Sequence, residues 1–204
     1  MSLASKFRIN TEENFPRLTK SPIVETVIEV RTQAEMTWDE PPITKQLKTK
    51  LPDYPNVESR REFSSEVKFK IGEKAEGEFL DKGWKGLLFK SDDGLHIAQF
   101  NRDSFLFSRL QPYDSWKQFY DEGLRLWQLY MNLAKPAEIQ RVGLRFINRM
   151  GLMPDEPLED YLQILPQKPQ GLDIPIGSFF HHEVLNVPDY PYAINIRRTI
   201  QPPN

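Results

Sequence analysis

The stretch Pro22-Ile-Val-Glu-Thr-Val-Ile-Glu-Val-Arg31 decides the fold. Its side chains alternate with the two-residue period of a β-strand, and we predict a strand over residues 23–32. The even-numbered residues from Val24 to Val30 lie on one face, which we expect to be core. The odd-numbered residues, including Glu25 and Glu29, lie on the other face and make it mixed and charged.

A second strand of this kind is predicted at residues 140–150. Val142, Leu144 and Phe146 alternate with arginines on the opposite face. The segment Glu25-Thr-Val-Ile-Glu29-Val can be laid on Arg141-Val-Gly-Leu-Arg145-Phe. We interpret the match as an internal duplication in which each strand opens one half.

The elements between and after these strands set the fold class. Ile43, Leu47 and Leu51 repeat at helical spacing, and an apolar stripe from Trp116 to Met131 predicts a helix over residues 115–134. On this helix we expect Trp116, Phe119, Leu124 and Trp127 to be buried. We predict four strands between these helices, at residues 67–71, 84–89, 95–100 and 105–110. A short helix at 158–165 and a strand pair at 176–187 and 192–200 would follow. The fold class is therefore α+β: a strongly twisted antiparallel sheet with helices on one side, carrying a duplicated β-α-β4-α unit.

The domain organisation follows from length and pattern. A chain of 204 residues is long enough for one domain with a real core. We predict an N-terminal arm at residues 1–20 and a single domain over residues 21–204. Its two halves would be residues 21–136 and 137–204, with the second incomplete.

The composition excludes several function classes. The 27 basic and 29 acidic residues leave a net charge of −2, so we expect no non-specific nucleic-acid binding. Cysteine is absent, which removes disulfides, thiolate metal sites and thiol nucleophiles. No apolar run reaches the length of a membrane span, and residues 1–16 hold no apolar signal segment. We expect a cytoplasmic protein that does not bind membranes.

Three stretches resemble a sporadically distributed bacterial family. They are Pro22 to Arg31, Phe105 to Phe119 and Arg141-Val-Gly-Leu-Arg-Phe-Ile-Asn-Arg149. The similarity runs from about residue 18 to the end, and it implies a bacterial or archaeal source. It implies no activity, because none is established for the family. Family members continue past the strand equivalent to residues 194–200, whereas this chain stops at Asn204, so we expect a truncated or short member.

The charged faces of the two strands give the candidate site residues, which are Glu25, Glu29, Arg141, Arg145 and Arg149. If the strands are antiparallel neighbours about a two-fold axis, Glu25 lies near Arg145 and Glu29 near Arg141 as a structural salt-bridge ladder, while Ile28 and Leu144 both turn into the core. Alternatively, the arginines bind a phosphate or carboxylate, or a protein partner. The tunnels of triphosphate-processing enzymes need glutamates at alternate positions of a strand. Glu25 and Glu29 are four residues apart, so they do not form that motif.

Other candidates carry weaker signals. His181 and His182 are adjacent in a strand and point to opposite faces, so we predict no metal site there. Asp92-Asp93-Gly94 is typical of a hairpin turn rather than a calcium loop. Phe105, Phe107 and Arg109 share one strand face and are the candidate base-stacking platform.

No catalytic or nucleotide motif is found, and we predict no catalytic residue, metal or cofactor. The favoured function is a binding or interaction module that presents the charged sheet face or an exposed strand edge to a protein or a small anion. The alternative is an enzyme that acts on a phosphorylated or nucleic-acid substrate through an arginine-lined anion site.

Overall fold

The computed structural model describes residues 8–13, 15, 18–33, 38–68, 76–153, 156–167, 170–171, 174 and 176–200; at 65–68 and 76–79 only the backbone is described. The contacts divide the chain into two compact units, Leu18–Met150 and a second unit made of Met1–Arg17 with Gly151–Asn204. These boundaries differ from the predicted arm at 1–20 and domain at 21–204, and the predicted division stays a prediction.

The unit Leu18–Met150 is an antiparallel sheet with two helices, which confirms the α+β class. Its elements are β1 (Ile23–Gln33), α1 (Glu40–Lys50), β2 (Asn56–Lys68), β3 (Glu76–Lys90), β4 (His96–Asn101), β5 (Ser104–Leu110), α2 (Trp116–Ala134) and β6 (Glu138–Asn148). The strand order is β2-β3-β4-β5-β1-β6, so β2 and β6 are the edge strands. The strand predicted at 67–71 lies largely outside the described residues, and β2 includes its first two positions.

Helix α2 forms where the sequence predicts it. The Ser115 hydroxyl accepts a hydrogen bond from the Gln118 amide at 3.3 Å and caps the first turn. Lys135 ends the helix in the left-handed conformation. Its buried residues are Phe119, Gly123, Leu126, Tyr130 and Ala134, which recur every three or four positions.

One core lies between the sheet and both helices. Leu47 of α1 and Leu126 of α2 are completely buried in the same cluster as Phe89, Phe100 and Phe105 of the sheet. Gly123 permits the close approach of α2, because a Cβ there would lie 3.2 Å from side-chain carbons of Ile28 and of Phe107. The helices therefore cover one side of the sheet.

The prediction that β1 and β6 are antiparallel neighbours is confirmed. Ile28 pairs directly with Leu144, and Val27 pairs with Arg145. The predicted register, with Glu25 opposite Arg145, is wrong by two residues, although the same side chains share each face. The internal duplication is not confirmed and stays a prediction.

Three predicted core positions are wrong. Trp116 and Leu124 are 46% and 39% exposed, and Leu144 is 50% exposed. The predicted stripe on α2 was too broad, since the buried residues occupy only one side of it. Leu144 lies on the helix side of β6, but β6 is the last strand of the sheet, so fewer neighbours cover it.

The second unit contains a 3-10 turn at Leu158–Asp160 and an antiparallel pair, β7 (Phe179–Asn186) and β8 (Ala193–Ile200). Arg198 donates a hydrogen bond to the Ile164 carbonyl at 3.1 Å and one to Glu183 at 2.9 Å. Among all described residues, no helix is long and apolar enough to cross a membrane.

Candidate strand-binding edge

The outer edge of β6 is the most distinctive surface of the unit Leu18–Met150. Within the described residues, β6 pairs with β1 on one side and with no strand on the other. Its helix-side row is apolar and exposed: Val142 by 67%, Leu144 by 50% and Phe146 by 42%. Unpaired amides and carbonyls along such an edge are a template for another strand.

Aromatic residues at the start of α2 extend this surface. The rings of Trp116 and Phe146 have centroids 6.5 Å apart, and Tyr113 meets Phe146 edge-on at 6.2 Å. Tyr120 lies beside Trp116, with centroids 5.7 Å apart. We call the exposed residues Val142, Leu144, Phe146, Trp116 and Tyr120 the β6 patch. A contiguous apolar patch on an exposed surface is typical of an interaction site.

The other edge of the same sheet has a different character. The described side chains of β2 include Glu58, Arg60, Arg61 and Glu62. Charged side chains on an edge strand disfavour pairing with further strands. β6 also carries charges, but its helix-side row of Val142, Leu144 and Phe146 is apolar and exposed, and this row makes β6 the candidate edge for a partner.

The opposite face of β6 carries the predicted arginines. Glu29 of β1 accepts hydrogen bonds from Arg31 at 3.0 Å and from Arg141 at 3.2 Å, as the predicted ladder requires at this position. The second predicted pair, Glu25 with Arg145, does not form an ion pair. Within the described part of the chain, Arg145 and Arg149 are exposed and make no ion pair. Four of the candidate residues therefore lie along the paired strands β1 and β6, and Arg149 follows the end of β6; only Glu29 and Arg141 are joined.

The weaker candidates take structural roles. Asp93 accepts hydrogen bonds from the Ser91 hydroxyl and from the Leu95 amide in the β3–β4 turn, and these lower the pKa of its carboxyl. His182 bonds Asn195, whereas His181 contacts Arg198. No group of three or more potential metal ligands occurs among the described residues.

The base-stacking platform is wrong as a surface site. Phe105 and Phe107 are fully buried beneath α2, where Phe107 stacks on Phe119 with centroids 5.1 Å apart. The face that they share with Arg109 is the core face, because Phe105 and Phe107 pack there against Trp127 and Phe119 of α2. Arg109 lies 3.5 Å from Asp114.

A polar cluster that the sequence did not indicate joins the two helices. Tyr54, just after α1, donates a 2.7 Å hydrogen bond to Glu122 of α2. Arg125 donates two more to the same carboxylate. Burial opposes ionisation of Glu122, but the bonds from Arg125 and Tyr54 hold its pKa below the usual value. Burial and the bond to Glu122 raise the pKa of Tyr54.

This cluster is a structural tie rather than a reactive site. The Glu122–Arg125 spacing on a helix is the signal that could have identified half of it. Tyr54 is sixty-eight positions away from Glu122, and only the fold brings it close. A shallow depression on α1 is lined by residues of that helix alone, among them Glu40, Lys45 and Lys48.

Comparison of the chain with protein-family models, with curated proteins and with solved structures found no match. The resemblance to the sporadic bacterial family stays a prediction that rests on the quoted strand motifs.

Proposed function

We propose that this chain is a protein-interaction module that binds an extended segment by adding it as a strand to the free edge of β6. The observation that supports this most is the exposed apolar row of Val142, Leu144 and Phe146 on an edge strand. In strand addition, main-chain hydrogen bonds give affinity and alternate side chains give specificity.

Burial of the apolar row under a bound strand would contribute substantially to the free energy of binding. Fully burying a valine, leucine or phenylalanine side chain is worth about 1.5–3 kcal/mol. The three side chains on β6 are already partly covered, so a bound strand would gain about half of that from each. Trp116 and Tyr120 would contact the side chains that the bound strand turns toward α2.

A peptide selection tests the proposal. A library of random peptides is selected for binding to the wild-type chain, and the enriched peptides are re-tested on Val142→Lys. That variant puts a charge in the apolar row at an exposed position. We expect enrichment of peptides with alternating apolar residues and loss of their binding to Val142→Lys.

Phe63→Lys is the matched control, because Phe63 is 62% exposed on the opposite edge strand, β2. It should leave binding unchanged. If the enriched peptides bind Val142→Lys as well as they bind the wild type, the β6 edge is not the binding site.

One observation favours the alternative, an anion site that serves a phosphorylated or nucleic-acid substrate. Arg145 is exposed on the face of β6 opposite the β6 patch, Arg149 is exposed just beyond the end of β6, and neither makes an ion pair with any described residue. Titration with inorganic phosphate, followed by NMR of the arginine side chains, tests it. Saturable shifts at both arginines would support the anion site.

The cellular setting is part of the same proposal. A chain without cysteine suits the reducing cytoplasm, and the strand motifs suit a bacterial source. A fusion to a fluorescent protein in a bacterial host tests the location.

A further inference from the structure

We infer that the segment bound at β6 is acidic on one face: it turns apolar side chains toward the helix side and carboxylates toward Arg145. This inference rests on the proposed strand addition and names the chemistry of the partner. The occupant is a partner protein's extended segment, and not a second copy of this chain.

β1, the strand that already pairs with β6, combines an apolar face with a carboxylate on the other face. On its paired edge, β6 meets β1, which sets Val30 opposite Val142 and Ile28 opposite Leu144 on the helix side. On the other face, β1 supplies Glu29 to Arg141. The known partner of β6 therefore combines an apolar row with a carboxylate on the arginine face.

The free edge retains an unused positive charge. Arg141 shares the Glu29 carboxylate with Arg31, whereas Arg145 is exposed and makes no ion pair with the residues that the structure describes. A strand on the free edge would place its own side chains beside Arg145 at cross-strand distance. A glutamate there forms a charge-assisted hydrogen bond, and a lysine is repelled.

The same charges disfavour a second copy of the chain at this edge. Two β6 strands that pair antiparallel about Gly143 place Arg141 opposite the second copy's Arg145. Pairing about Leu144 makes the two copies of Arg145 diagonal neighbours. Both registers bring Arg145 beside another arginine, and like charges that face each other destabilise a sheet. The Arg31–Arg141 pair in the β1–β6 ladder differs, because Glu29 accepts a hydrogen bond from each of its members.

Defined peptides test the inference. Three labelled peptides match β6 in length, 11 residues, and alternate valine with glutamate, glutamine or lysine. Their affinities are measured by fluorescence anisotropy. We expect the glutamate peptide to bind about tenfold more tightly than the glutamine peptide, and the lysine peptide to bind most weakly. The chain has a net charge of −2, so non-specific electrostatic attraction would favour the lysine peptide. Tighter binding of the glutamate peptide would therefore indicate a specific contact.

Two variants of equal charge locate the effect. Arg145→Glu should reverse the order, so that the lysine peptide binds more tightly than the glutamate peptide. Arg102→Glu makes the same charge change in the turn between β4 and β5 and should preserve the original order. Arg145→Gln, which only removes the charge, should abolish the preference, and thermal melting verifies that each variant is folded.

The outcomes separate the two proposals. If all three peptides bind equally and Val142→Lys weakens each of them, strand addition stands and the acidic partner is wrong. If no peptide binds, or if Val142→Lys has no effect, strand addition itself is overturned. If sedimentation shows that the chain self-associates through β6 and the peptides compete with that, the occupant is a second copy and the inference fails.

Discussion

The substitution Tyr130→Phe removes one hydroxyl and tests how much the hydrogen bonds between α2 and the sheet stabilise the fold. Tyr130 is fully buried, and its hydroxyl lies 2.8 Å from the Thr32 hydroxyl of β1. It also donates to the Arg102 carbonyl at 3.3 Å. The substitution keeps the ring, so it removes these hydrogen bonds without opening a large cavity.

The expected loss of stability follows from the two groups that bond the Tyr130 hydroxyl and would lose that partner. Thr32 is 2% exposed, so its hydroxyl loses its partner where water does not readily replace it. A buried polar group left unsatisfied costs about 1–3 kcal/mol. We therefore expect the free energy of unfolding to fall by about 1–3 kcal/mol, since the Arg102 carbonyl also loses a donor.

Urea denaturation followed by tryptophan fluorescence measures the change. Tyr120→Phe on the same helix is the control, because Tyr120 is 45% exposed and the substitution should be nearly neutral. Thr32→Val combined with Tyr130→Phe should cost less than the sum of the two single changes, because both delete one interaction. If Tyr130→Phe costs no more than the control, the hydrogen bond does not fasten α2, and the reasoning is refuted.

Three further predictions concern the same core. Burial, with Arg109 nearby, holds the pKa of His96 below its usual value, so the unfolded chain binds the proton first. The free energy of unfolding should therefore decrease as the pH falls below about 6.5, and melting curves of His96→Gln should show a smaller decrease. Tyr54→Phe should cost roughly 1–2 kcal/mol in urea denaturation, since Glu122 loses one donor but keeps Arg125; an unchanged midpoint would contradict this. Gly123→Leu should lower the melting temperature through a cost of about 1–3 kcal/mol, and a neutral result would mean that α2 can move away from the sheet.

Local patterns in the sequence predict much of the fold. The alternation in residues 23–32 and 140–150 predicts β1 and β6, and the helical stripe after Ser115 predicts α2 almost to the residue. These elements are predictable because each carries its own periodicity and its own cap or turn.

The candidate site depends on the strand order and the strand register, which local sequence patterns do not determine. Trp116 and Leu144 look like core residues, and they are exposed because β6 is an edge strand, which the strand order alone determines. The register that joins Arg141 to Glu29 differs by two residues from the one that symmetry suggested. A shift of two keeps every side chain on its face, so hydrophobic patterning does not distinguish the two registers.

Filtered NOE measurements test strand addition at β6 most directly. The isotope-labelled chain is mixed with the unlabelled peptide that alternates valine and glutamate, and contacts between the two molecules are recorded. The account predicts a series of contacts between α-protons of the peptide and of β6, with the order of an antiparallel pair and with valine methyl groups close to Leu144 and Trp116. Contacts that map to β2, to α1 or to the β7–β8 pair, with none to β6, would contradict it.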